Sequence, residues 1–275
     1  MTTSFVTLFG WIILTGISRS MYAANAKTVI AIKCDDASRR LANELAAFLN
    51  APIIEQEHPL NTKLRDTKFL LEINHDALSL RVLCQPKLKP FCLNFNIARR
   101  GKGKDPLLRA IGADARSVID ATAGWCADAL HIARHGAQVL AIEQNCIVAA
   151  LAIQAAKHIA KPGLRHRFML MYGNSIDVLD SIAQSPDVIY LDPMYPEKNK
   201  NSAPRKQLML LRDIVGAPEN SPQLFERAMA WAKHRVVVKR PHYAPPLASG
   251  RVGETRSKLV RFDIYKPQVK SGAFN

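Results

Sequence analysis

The chain has 275 residues, 48% of them hydrophobic, and 38 Lys and Arg against 23 Asp and Glu give a net charge of +15. That apolar content supports a sizeable buried core and excludes a disordered chain, while the charge favours a polyanionic partner. The five cysteines (Cys34, Cys84, Cys92, Cys126 and Cys146) form no CxxC pair, which argues against a disulfide framework and a zinc site, so no metal is expected and the compartment reads as reducing.

In chain order, Phe5 to Ile17 is an apolar run followed by Ala24-Asn25-Ala26, a cleavage-like site. No Lys or Arg precedes the run, and it is short for a membrane span. Residues 1–26 therefore read either as a signal-like segment or as an extension ahead of a start at Met21. Residues 28–32 suit a strand. Asp36 to Leu49 suits a helix with Leu41, Leu45, Phe48 and Leu49 on one face. Phe69–Ile73 and Leu78–Val82 read as strands about a turn at Asn74-His75-Asp76. Together these outline a small α+β domain over residues 27–98, without a catalytic constellation. Arg99-Arg100-Gly101-Lys102-Gly103-Lys104 then reads as a basic linker.

Beyond a short helix over 105–112, strands alternate with helices. Strands are expected at 117–120, 137–143, 167–172, 187–191, 235–239 and 261–265, and helices at 127–135, 147–159, 175–183 and 224–232. The alternation implies an α/β domain over residues 99–275 built on a doubly wound sheet, whose ligands sit at the carboxyl ends of the strands.

Four motifs fall on such strand ends. Asp120-Ala-Thr-Ala-Gly124, continuing to Asp128, lies between a strand and a helix, and Gly124 lets the backbone approach a ligand closely. The glycine pattern is wrong for a dinucleotide and has the form usual in adenosylmethionine enzymes. Glu143 ends the next strand, 19 residues after Gly124, where an acid accepts hydrogen bonds from ribose hydroxyls. Asn174, in Gly173-Asn174-Ser175, suits either an adenine-side loop or the cap of the following helix. Asp192-Pro193-Met194-Tyr195 follows an apolar strand. An exocyclic base amine is a poor nucleophile. Acceptors at Asp192 and at the carbonyl of Pro193 would orient its lone pair for in-line attack on a methyl group, while Tyr195 would stack on the base. A basic set, Lys198, Lys200, Arg205, Lys206, Lys239 and Arg240, with Tyr243, offers phosphate contacts and a further stacking face. Each motif also has a plainer reading as a strand-end turn, a surface acid or a solvated charge run.

Taken together, Asp120-Ala-Thr-Ala-Gly124, Tyr190-Leu-Asp-Pro-Met-Tyr-Pro196, Val236-Val-Val-Lys-Arg-Pro241 with Tyr243-Ala-Pro-Pro-Leu247, and Arg261-Phe-Asp-Ile-Tyr265 resemble the bacterial ribosomal RNA small subunit methyltransferase J family. The likeness covers roughly residues 100–266 and is weak before that. It implies a Rossmann-like S-adenosylmethionine methyltransferase sheet and methylation of the exocyclic N2 of a guanine in 16S rRNA. It further implies 16S rRNA or the 30S subunit as partner, no membrane attachment and a cytoplasmic location. By the same resemblance the cofactor contacts fall on Ala127, Asp128, Glu143, Gln144, Asn174, Ser175 and Asp192 beside the Asp120–Gly124 turn. The chain departs from the family at Cys126, which stands for a glycine, at Ala127, which stands for an arginine, and at Gln144 and Asn174. Two other readings stay open: a DNA adenine or cytosine N-methyltransferase, and a non-catalytic ribosome-assembly factor on the same fold.

Overall fold

The computed structural model describes residues 4–8, 11–15, 29–54, 67–75, 77–96, 105–195, 206–215 and 221–267. The linker 99–104, the Ala24–Ala26 site and Lys198, Lys200 and Arg205 lie outside them. The chain divides into two compact units, residues 1–97 with 144–160 and residues 98–143 with 161–275.

In the first unit, the apolar run forms an antiparallel hairpin, β1 (Ser4–Leu8) and β2 (Trp11–Thr15). The unit's sheet comprises β3 (Val29–Cys34), β4 (Ile53–Ile54), β5 (Thr67–Asn74), β6 (Ala77–Val82) and β7 (Phe91–Cys92). Their spatial order is β4-β3-β5-β6-β7. β3 is parallel to β4 and β5, whereas β5, β6 and β7 form an antiparallel meander. α1 (Arg39–Leu49) buries Leu41, Ala42 and Leu45, the centre of the apolar stripe, and ends at Asn50 in the left-handed conformation.

In the second unit the chain runs through α2 (Pro106–Ile111), β8 (Ser117–Asp120), α3 (Ala127–Arg134) and β9 (Gln138–Glu143). It then passes through α4 (Cys146–Lys157), which belongs to the first unit, where it packs on α1 and β6. Every residue of α4 from Cys146 to Ala156 is buried, as its nearly uninterrupted apolar sequence requires. The second unit resumes with α5 (Pro162–Arg165), β10 (Phe168–Tyr172), α6 (Ser175–Ser181), β11 (Val188–Leu191), α7 (Lys206–Val215), α8 (Ser221–Trp231), β12 (Arg235–Pro241), β13 (Arg251–Arg256) and β14 (Val260–Tyr265). Within the unit the strand order is β10-β9-β8-β11-β12-β14-β13. The five strands from β10 to β12 are parallel, and β14 is antiparallel to both its neighbours.

β11 is buried along its whole length, between β8 and β12, which is why Val188-Ile-Tyr-Leu191 reads as an unbroken apolar run. From β8 the chain winds outward to β10 on one side and restarts at β11 on the other. The sheet therefore reverses direction between β8 and β11, and a crevice opens beyond their carboxyl ends. Three elements of this unit have no counterpart in the expectations: the four-residue α5, α7 and the edge strand β13. β13 is polar, largely exposed and bulged near Gly253, so it lacks an apolar alternation.

Candidate active site

The β8–β11 crevice collects the acidic residues. Asp120 ends β8 and is only 1% exposed. Burial pushes its carboxyl well above the ordinary range, the carboxylates of Asp128 and Asp192 push it further, and the Thr122 amide and Lys239 oppose the rise. The turn after β8 is tied to two neighbouring strands: Ala121 N–H donates to the Tyr190 carbonyl at 3.0 Å and Ala123 N–H to the Ile142 carbonyl at 3.0 Å. Ser175 Oγ donates to the Ala121 carbonyl at 2.6 Å. Asn174 Oδ1 accepts from Ile176 N–H at 2.9 Å and so caps α6.

Gly124 has φ +51°, and its N–H donates to Glu143 Oε2 at 2.8 Å. A Cβ there would stand 3.1 Å from Leu211 Cδ2 on α7, so any larger residue meets both left-handed backbone strain and a leucine that must shift. Cys126, where the family pattern has glycine, also adopts the left-handed region, at φ +56°. Its side chain is fully buried, and burial holds the thiol well above its usual pKa, with Asp120 and Glu143 adding to the effect. The substitution costs backbone strain of about 1–2 kcal/mol but leaves the turn intact.

Asp128 lies in the first turn of α3, and its Oδ2 accepts from Tyr190 Oη at 2.8 Å and from Lys239 Nζ at 2.7 Å. The same ammonium donates to Asp192 Oδ2 at 2.8 Å. Burial would lower the Lys239 pKa, but Asp192 and Asp128 outweigh it and hold the ammonium protonated. Tyr190 is wholly buried, and burial beside Asp128, Asp192 and Asp120 keeps its phenol a donor. Asp192 N–H donates to Thr122 Oγ1 at 2.6 Å, which locks the strand end to the β8 turn.

On the outer side, the Arg240 guanidinium lies 4.3 Å over the Tyr195 ring and donates twice to the Pro245 carbonyl at 3.1 Å. The ring of the 44%-exposed Tyr243 stands 6.0 Å from that of Tyr195. Arg261 anchors this loop, donating to the carbonyls of Pro241, His242 and Ala244 while pairing with the buried Asp263. Lys239 and Arg240, expected among the phosphate contacts, thus find their partners inside the protein. Lys239 reaches the carboxylates within the crevice and Arg240 the Tyr195 face, nearer complements than solvent. Lys206 begins α7, and Gln144 follows β9 as the exposed first residue of the α4 segment. Sequence reasoning misses Thr122, Tyr190 and the ion triad, whose members lie 47 and 111 residues apart.

Among the described residues no group of three His, Cys, Asp or Glu is placed to hold a metal, and no helix is long and apolar enough to cross a membrane.

Residues 54–267 match the family described as "Putative SAM-dependent methyltransferase". The ribosomal RNA small subunit methyltransferase J of Colwellia psychrerythraea is 37% identical over 218 residues, covering 74% of this chain and 79% of that protein. That of Thioalkalivibrio sulfidiphilus is 34% identical over 244 residues, covering 82% and 93%. The chain belongs to the ribosomal RNA small subunit methyltransferase J family. A crystal structure of a SAM-dependent methyltransferase from Neisseria gonorrhoeae, 28% identical, superposes with a TM-score of 0.65 over 88% of this chain and 97% of that one. The Rossmann-like sheet expected from the motifs is the one observed. S-adenosylmethionine is the family's cofactor, and the donor set fits it. Glu143 and the Gly124 turn suit a nucleoside, and the carboxylates of Asp128 and Asp192 suit a cation.

Proposed function

We propose that the chain methylates the exocyclic N2 amine of a guanine in 16S rRNA, free or within the 30S subunit, in the cytoplasm. Supporting this reading above all is the position of Asp192: at the carboxyl end of the central strand, at the sheet's reversal, with its backbone held by Thr122. S-adenosylmethionine, when bound, supplies a methyl group on a cationic sulfonium. Asp120, Gly124, Ala127, Asp128, Glu143, Gln144, Asn174 and Ser175 are the candidates to hold it. The Asp192 carboxylate and the Pro193 carbonyl accept the two amine protons and turn the nitrogen lone pair toward the methyl carbon. As the nitrogen becomes alkylated its acidity rises steeply, so the departing proton needs only a weak acceptor. Tyr195, backed by Arg240, stacks on the base, with Tyr243 beside it.

In this reading residues 99–275, apart from the α4 segment, form the catalytic domain and residues 27–98 present the RNA. Lys198, Lys200, Arg205 and Lys206 hold phosphates, and Arg240 supports the Tyr195 ring. The test is tritium transfer from labelled S-adenosylmethionine to 30S particles from a strain lacking the protein, with duplex DNA as the competing acceptor. Label is expected on 16S rRNA at guanine N2, and Asp192→Ala is expected to reduce the rate by about 10³-fold or more. Robust transfer by Asp192→Ala, or labelling of DNA instead, overturns the assignment.

A further inference from the structure

One ammonium, that of Lys239, serves two carboxylates in the crevice. Lys239 follows Val238, which is paired in register with Leu191 of β11. The next residue on each strand is therefore Lys239 and Asp192, side by side on adjacent parallel strands. The Asp192 amide is already fixed to Thr122 Oγ1, so the carboxylate's remaining freedom is rotation of its own side chain. The ammonium, 2.8 Å from Oδ2, removes that freedom. Its second contact, 2.7 Å to Asp128 Oδ2, fixes the ammonium in turn from the start of α3, and Tyr190 steadies Asp128 from below.

We propose that Lys239 is a positioning residue for methyl transfer, holding the Asp192 carboxylate as an oriented acceptor for the incoming amine and tethering it to Asp128 on the cofactor side. This rests on the role assigned to Asp192 above. Electrostatics lead to the same place. Among the described residues, the groups facing Asp192 include Asp120 from β8, Asp128 from α3, Tyr190 from β11 and Lys239 from β12. Three carboxyls and a phenol in one crevice repel negative charge, and Lys239 is the cation that offsets them. Without it a proton is taken up by the cluster, and a protonated Asp192 is a poorer acceptor for an amine. A phosphate-binding role would need the ammonium to leave both carboxylates for solvent.

The test compares Lys239→Gln, Lys239→Arg and Asp192→Asn in single-turnover methyl transfer across pH, with RNA affinity measured against salt. For Lys239→Gln, kcat is expected to fall by about 10²-fold with KM for RNA little changed. Its acid limb should move up by about one pH unit, while the salt slope of RNA binding stays at the wild-type value. Lys239→Arg keeps the charge, so its acid limb should stay at the wild-type pH with an intermediate kcat. Wild-type kcat and acid limb in Lys239→Gln overturn the proposal, as does a salt slope lower by about one, the mark of a lost phosphate contact. Should Lys239→Gln not fold, Lys239→Arg decides: a displaced acid limb despite retained charge overturns the proposal. Full activity in Asp192→Asn sinks the underlying reaction reading instead. An inactive Asp192→Asn beside an unaffected Lys239→Gln removes only the role of Lys239.

Discussion

β11 carries an aspartate at each end, and the two have opposite situations. Asp187 precedes the strand and accepts from the amides of Arg116 at 2.8 Å and Ser117 at 3.0 Å. Its own amide donates to Ser117 Oγ at 2.9 Å, and its carbonyl accepts from His234 N–H at 3.0 Å. Asp192 follows the strand, and its carboxylate is met by a side-chain ammonium. At the amino edge of a parallel sheet the first amides of each strand need acceptors, so an acid there is fastened by the backbone itself. At the carboxyl edge an acid can be balanced by a side chain and remain able to receive a ligand. An acid flanking an apolar strand therefore has two meanings, and the strand's direction chooses between them.

Exchanging the fates of these two residues is the sharpest way to break the comparison. Asp192→Ala is expected to abolish methyl transfer while leaving the thermal midpoint close to wild type. Asp187→Ala should do the reverse. It strands two backbone donors and should cost about 2–3 kcal/mol in denaturant titration, with the folded fraction retaining its activity. An activity loss in Asp187→Ala without destabilisation contradicts the division.

The pH dependence of stability gives a smaller effect of opposite sign at two carboxyls. At Asp187, burial is outweighed by hydrogen bonds from Arg116 and Ser117, and the carboxyl lies below its ordinary range. Its contribution should be complete above the unfolded pKa and fade as pH falls through the folded value, so the stability gap between wild type and Asp187→Asn closes on acidification. Asp120 lies well above its ordinary range. Its protonated form is the stable one, present below the unfolded pKa, and stability is lost as pH rises through the folded value. Asp120→Asn should therefore gain on the wild type as pH rises, and parallel curves for the two proteins would refute this. The smallest effect is at Cys126. Cys126→Gly relieves left-handed strain but empties a buried thiol site. The two effects nearly cancel, and unfolding stability should change by no more than about 1 kcal/mol.

How far the sequence discloses these differences depends on whether the cause is local. The parallel strands β8 to β12 are legible because burial on both faces forces continuous β-branched and apolar runs. Asp120, Glu143 and Asp192 are legible because each stands at a strand end in a fixed motif. The position of Lys239 is not, since Arg240 beside it in sequence makes the pair look like a phosphate-binding charge run. Only the register of β11 with β12 puts it beside Asp192. α7 was hidden for a related reason. Lys206–Val215 follows directly in sequence on a basic, proline-containing stretch and is absorbed into its reading as a charge run. The placement of α4 in the first unit runs against a reading that follows chain order through the β-α alternation.

The loop beyond β12 is gripped by its carbonyls. Arg261 holds those of Pro241, His242 and Ala244, and Arg240 holds that of Pro245. Every residue type has a carbonyl, so this hold is blind to side chains. Tyr243 and Pro246 can be exchanged without loosening it, whereas His242 adds a side-chain bond of its own to the Ser257 carbonyl and a change at Arg261 or Asp263 would release the whole segment. The fold thereby separates what must be inherited unchanged from what is open to drift: a lineage can retune this surface one residue at a time, on a mount that stays put.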